Sequence, residues 1–110
     1  MSLKSDFVDY IIDNLSDLDG HIYSKRMFGG FGIYHNDVMF GLISNDEFFL
    51  KVNDKSVSKF TALDLKPFTY ERQGKDVALS YYQAPATAIE DPEILVEWAK
   101  LSISTANRST

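Results

Sequence analysis

The residues best placed to do chemistry in this chain lie in Arg26-Met27-Phe28-Gly29-Gly30-Phe31-Gly32. Glycines beside a cation suggest a phosphate loop, because backbone amides close around an anion only where side chains are absent. The segment lacks the Lys-Ser/Thr ending of a P-loop and the full dinucleotide fingerprint, and an extended stretch rather than a helix follows it. A bulge or sharp bend in a sheet accounts better for the glycines. His21 and His35 are the only imidazoles, and neither has a second His, or a Glu at helical spacing, to complete a metal's ligand set. No serine occupies a G-x-S-x-G elbow and the chain has no cysteine, so no nucleophile of a familiar kind is present. Glu47, Glu71 and Glu90 fall near expected turns or edges rather than in an evident cleft. The expectation is a protein that is not an enzyme, with no catalytic, cofactor-binding or metal-binding residues and no cofactor.

What remains points to contacts with partners. Arg26, Phe28, Gly29 and Gly30 offer a charge next to an opened backbone, and Lys51 and Tyr82 lie beside the aromatic pairs Phe48-Phe49 and Tyr81-Tyr82. Strand alternation sends one member of each pair inward and the other to the opposite face. Asp6, Asp9, Asp13 and Asp17 recur every three or four residues, stacking carboxylates along one helical stripe. Such a stripe is a solvated face or a docking strip for a basic partner, with Asp9 and Asp13 at its centre.

These residues need elements to hold them. Phe7, Val8, Ile11, Ile12, Leu15 and Leu18 fall at helical spacing, predicting a helix from about residue 3 to 18 that Asp19-Gly20 stops. Extended patterns follow over 21–28 and 31–34, with a turn at His35-Asn36-Asp37. Val38 to Ile43 is apolar on both faces, the pattern of an inner strand, and Ser44-Asn45-Asp46 reads as a hairpin turn into 48–52. Asp54 is expected to cap a short helix with Val57 and Phe60 inward. Residues 67–72 and 77–82 should form a hairpin across Gln73-Gly74-Lys75. Asp91, Pro92 and Glu93 announce a closing helix whose apolar face is Ile94, Leu95, Trp98 and Leu101, and residues 105–110 are expected to fray. The sum is an α+β fold: two layers, a mainly antiparallel sheet with N- and C-terminal helices and a short middle helix. Strand and helix alternate too rarely for a doubly wound parallel sheet.

The 110 residues allow one core and therefore one domain, 1–110, with its body at about 5–106. Absence of cysteine suits the cytoplasm, and no apolar run is long enough to cross a bilayer. Net charge is −5, with 16 Asp and Glu against 11 Lys and Arg, which argues against autonomous duplex DNA binding, since that draws its affinity from cations neutralising phosphates. A local basic patch remains compatible with that total.

The order of the segments carries a resemblance. An amphipathic first helix, then Arg26-Met-Phe-Gly-Gly-Phe-Gly-Ile-Tyr34, Val38-Met-Phe-Gly-Leu-Ile43, Phe49-Leu-Lys-Val52, Pro67-Phe-Thr-Tyr70, Leu79-Ser-Tyr-Tyr-Gln-Ala-Pro85 and Glu97-Trp98-Ala99 together resemble the N-terminal domain of the TfoX/Sxy proteins. The resemblance implies a secretion-chaperone-like α+β fold and a non-enzymatic part in regulating competence genes. The partners it implies are proteins, the transcription machinery or the cAMP receptor protein, without direct nucleic-acid or membrane contact. Homodimerisation is compatible with it. A chaperone-like peptide binder is the alternative reading. Two departures stand out: longer members carry a helical C-terminal domain beyond the point where this sequence stops, and Asp64-Leu65-Lys66 lacks a glycine expected there.

Overall fold

Helix α1 (Asp6–Asn14) buries Val8 and Ile11 and exposes Asp6, Asp9 and Asp13. The computed structural model describes residues 6–27 and 29–108. Residues 3–5 of the expected helix therefore lie outside the described residues, as does Phe28 among the expected partner-binding residues. The helix also stops four residues earlier than its periodicity predicts. The Asn14 side-chain amide donates to the Tyr10 carbonyl at 2.8 Å, and the chain continues through i to i+3 bonds, Leu15 N–H to Ile12 O and Leu18 N–H to Leu15 O. A side chain that competes for its own helix's carbonyl favours such an exit. Asp17 consequently leaves the acidic stripe and lies in the turns that follow.

Six strands come next: β1 (Ile22–Met27), β2 (Gly30–His35), β3 (Val38–Ser44), β4 (Glu47–Lys51), β5 (Pro67–Arg72) and β6 (Lys75–Gln83). They form one antiparallel sheet in the order β1-β2-β3-β4-β6-β5. Three hairpins turn through two residues that both have positive φ: Asn36 and Asp37, Asn45 and Asp46, and Gln73 and Gly74. That pair of conformations matches the right-handed twist of the flanking strands, and Asn, Asp and Gly bear it at the least steric cost. In β3 the register slips, with Ile33 opposite Gly41 but Tyr34 opposite Met39, so Phe40 is an extra residue. This bulge explains the unbroken apolar run: Phe40 and Ile43 join the helix-side core, whereas Met39 and Leu42 join a second cluster.

The helices α1, α2 (Val57–Thr61), α3 (Ala86–Glu90) and α4 (Pro92–Arg108) supply one face of the main core, where Ile11, Leu15, Phe40, Leu50, Phe60 and Leu95 are fully buried. Asp54 does not cap α2. The helix starts after Ser56 without a side-chain cap, and Asn53 instead closes the turn that leads into it: its Oδ1 accepts from the N–H groups of Lys55 and Ser56, both at 2.9 Å, and the Ser56 hydroxyl accepts from the Asn53 N–H. The Asp91 carboxylate accepts from the Glu93 N–H at 3.0 Å and opens α4 as expected. That helix does not fray at residue 105 but runs to Arg108, because Thr105 and Ala106 are buried and packing outweighs their low apolar content. The Ser102 hydroxyl donates to the Lys51 carbonyl at 3.0 Å, fastening α4 to β4. Helix α3 has no counterpart in the sequence reading; at five residues it is too short to show a period. The expected α+β class and helix-on-sheet arrangement hold. No helix among the described residues is long and apolar enough to cross a membrane.

Candidate functional site

All four helices lie on one side of the sheet, so the chemistry left for partners is concentrated on the other. A second cluster of Leu42, Phe49, Phe68 and Tyr81, flanked by Met27, Met39, Tyr70 and Leu79, contains strand residues alone. Period-two alternation along β1 brings Tyr23, Lys25 and Met27 to this uncovered face, and register places Tyr34 of β2 beside Tyr23. The two rings stack at 5.2 Å between centroids and 9° between planes, and His21 extends the ladder at 4.9 Å from Tyr23. The Lys25 ammonium sits 5.1 Å from the Tyr34 centroid and 5.8 Å from that of Tyr23, where the ring quadrupole attracts a cation.

Across the face, Lys51 lies 5.3 Å from the centroid of Tyr81, its register partner on β6. Phe49 meets Phe68 edge to face at 5.1 Å, and Phe68 stacks against Tyr70. Alternation continues to Arg72 and Lys75, the closing pair of the β5–β6 hairpin. Two hydroxyls on the face are perturbed. Tyr23 donates to the Asp37 carboxylate at 2.7 Å, and that bond, with some burial and the charge of Asp37, pushes it up to about 12. Burial pushes Tyr81 up to about 12, helped by Tyr34. Both are protonated at neutral pH and serve as donors rather than bases.

The expected partner-binding residues are dispersed over the molecule. Lys51 is on the uncovered face, but Tyr82 points to the helix side, its ring 6.1 Å from Phe60. The partner of Lys51 is Tyr81, one residue earlier. Asp9 and Asp13 are exposed on α1 in the helix layer. Arg26 is exposed and alternates away from Lys25. Gly29 and Gly30 make a sharp bend and not a bulge: Met27 pairs with Gly30, so the connection is two residues long, with φ +73° at Gly29. Gly30 is required by close approach, since a Cβ there would stand 2.0 Å from the Ile43 carbonyl oxygen. Sequence reading passed over Lys25, Tyr23 and Tyr34, and from the pair Tyr81-Tyr82 it favoured Tyr82; the available signal for β1 was the alternation Tyr23, Lys25, Met27, obscured by the nearby glycines.

A cleft of about 540 Å³ lies away from this face between Leu18, His35, Lys100, Ile103 and Arg108. His35 Nε2 lies 2.8 Å from the Asp19 carbonyl there, which holds the ring as a structural brace. Among the described residues no three His, Asp or Glu side chains gather where a metal ion could be held.

The site and fold thus define a class: a two-layer α+β module with helices on one side of an antiparallel sheet and an aromatic, cation-bearing face on the other. Residues 13–106 match the family model of the TfoX N-terminal domain, and the chain belongs to that family. It is 29% identical over 85 residues to the DNA transformation protein TfoX of Haemophilus influenzae, covering 76% of this chain and 39% of that protein. It is 25% identical over 87 residues to the protein Sxy of Escherichia coli K12, covering 79% of this chain and 42% of that one. The chain therefore matches about two-fifths of the length of these curated relatives.

Proposed function

We propose that this protein is a non-enzymatic, cytoplasmic regulator of DNA transformation that acts through contacts with another protein. The observation that carries the reading is the family match over residues 13–106, together with a curated relative named as a DNA transformation protein. The geometry supports it: one face of the sheet is left without helices and carries Lys25 and Lys51 over aromatic rings, where a partner protein can reach them. The partners that the family resemblance suggests are components of the transcription machinery, the cAMP receptor protein among them, and the module acts alone or as a homodimer. The test is deletion of the chain from its native cells, followed by measurement of transformation frequency and of transcripts for DNA-uptake genes. A fall in both, restored by the wild-type chain, is the expected result. Unchanged frequency and transcripts would overturn the proposal.

A further inference from the structure

The acidic total of this chain conceals a division of charge between its two layers. The helix layer carries Asp6, Asp9 and Asp13 on α1, Glu90 on α3 and Glu93 and Glu97 on α4, an acidic excess over Lys59 on α2 and Lys100 and Arg108 on α4. The uncovered sheet face carries Lys25, Lys51, Arg72 and Lys75, with Asp37 and Glu47 at its margins. Asp37 is occupied by the Tyr23 hydroxyl, and Glu47 by the Gln83 side-chain amide at 2.9 Å. Between the cations the partly exposed Met27, Met39, Tyr70 and Leu79 form a shallow apolar floor over the buried Leu42, Phe49, Phe68 and Tyr81.

Three occupants differ in how they meet this chemistry. A second copy docking face to face would bring four cations against four, and like charges brought together disfavour that pairing. A single-stranded nucleic acid needs free ring faces on which bases stack. Here those faces are taken: Tyr23 and Tyr34 stack on one another, Lys25 covers both, Lys51 covers Tyr81, and Phe49 and Phe68 pack edge to face. A peptide that intersperses carboxylates with apolar side chains uses both features, pairing with ammonium groups that already bear partial charge compensation from rings and laying its apolar side chains on the floor. From this complementarity we infer that the uncovered face docks an acidic segment of a partner protein, one that carries Asp or Glu interspersed with Leu or aromatic residues. The inference rests on the reading of the module as one that works through protein contacts, and it names the chemistry of the contact.

The experiment is selection of short random peptides displayed on phage against the whole chain, with fluorescence titration of the selected peptides and, in parallel, of an oligo-dT strand. Expected is a consensus enriched in Asp or Glu with Leu, Phe or Trp. Its affinity should fall at least about tenfold in Lys25→Glu/Lys51→Glu and, independently, in Arg72→Glu, and should weaken as salt rises. Arg72 lies at an exposed hairpin tip, so that variant keeps the test open should the double one fold poorly. A consensus without acids, acidic peptides whose binding survives both variants, or oligo-dT binding more tightly than any peptide would overturn the assignment. These results are separable from the transformation test: a transformation defect with no acidic consensus would refute the surface and leave the regulatory reading standing.

Discussion

Asp64 stands at φ +59°, in the left-handed region, at the exit of α2. The Leu65 N–H returns to the Phe60 carbonyl at 3.1 Å and the Asp64 N–H to the Thr61 carbonyl at 3.0 Å, the pair of bonds that closes a helix by a Schellman turn. Glycine is the usual residue at that position, and its absence from Asp64-Leu65-Lys66 is the departure visible in the sequence. A left-handed L-residue costs about 1–2 kcal/mol, with Asp toward the low end because its side chain is short and polar. Glycine removes that strain but gives back about 0.4–1 kcal/mol by freeing the unfolded chain. Asp64→Gly should therefore stabilise the fold by about 0.5 kcal/mol, and Asp64→Val, β-branched, should destabilise it by about 1–2 kcal/mol. A change of 1 kcal/mol moves the melting temperature of a domain this size by about 4–8 °C, so the glycine variant should melt roughly 2–4 °C higher. The assay is urea unfolding followed by circular dichroism, with the midpoints compared at unchanged slope. A glycine variant no more stable than the parent, or a valine variant as stable as it, would refute the assignment of strain to this residue.

Other consequences can be checked the same way. Gly30→Ala should cost about 3 kcal/mol or more, because its Cβ would collide with the Ile43 carbonyl and open β2 from β3. Gly29→Ala should cost only about 1 kcal/mol, since nothing lies within 4 Å and backbone strain alone acts; equal losses in urea unfolding would contradict this. Tyr82→Ala should lose about 2–3 kcal/mol as a half-buried ring packed on the core beside Phe60, and Lys51→Ala less than about 1 kcal/mol, despite lying one strand apart. Tyr23 and Tyr81 are pushed up to about 12 from an ordinary value of 10, so their protonated forms favour the fold. Their contribution is whole below pH 10 and is lost as pH rises from 10 to 12. In Asp37→Asn, tyrosinate absorbance should show Tyr23 ionising nearer 10 with Tyr81 unmoved, since burial and not Asp37 holds Tyr81.

Much of the architecture is local and was therefore legible. The Asn36-Asp37, Asn45-Asp46 and Gln73-Gly74 turns announce themselves because few residues tolerate two successive positive φ angles. Asp91-Pro92 announces α4 by the same economy of local chemistry. Where two neighbouring residues could perform one task, the sequence was silent: Asp54 and Asn53 both have side chains able to close a turn ahead of a helix, and the choice of Asn53 followed from how the chain enters α2 after β4. The end of α4 was likewise decided by burial of Thr105 and Ala106, which their composition does not advertise.

The sequence by itself determined the strands, their alternation, the helical faces and the family, because turn chemistry and period are properties of near neighbours. It could not say which face of the sheet the helices cover. That was decided by packing: the bulge at Phe40 changes the phase of β3 midway, and α4 lies over β3 and β4. Only then did Tyr82 turn to the helix side and Tyr81 to the cluster on the opposite face, and only then did Lys25 and Lys51, 26 positions apart in the sequence, come to share one face of the sheet.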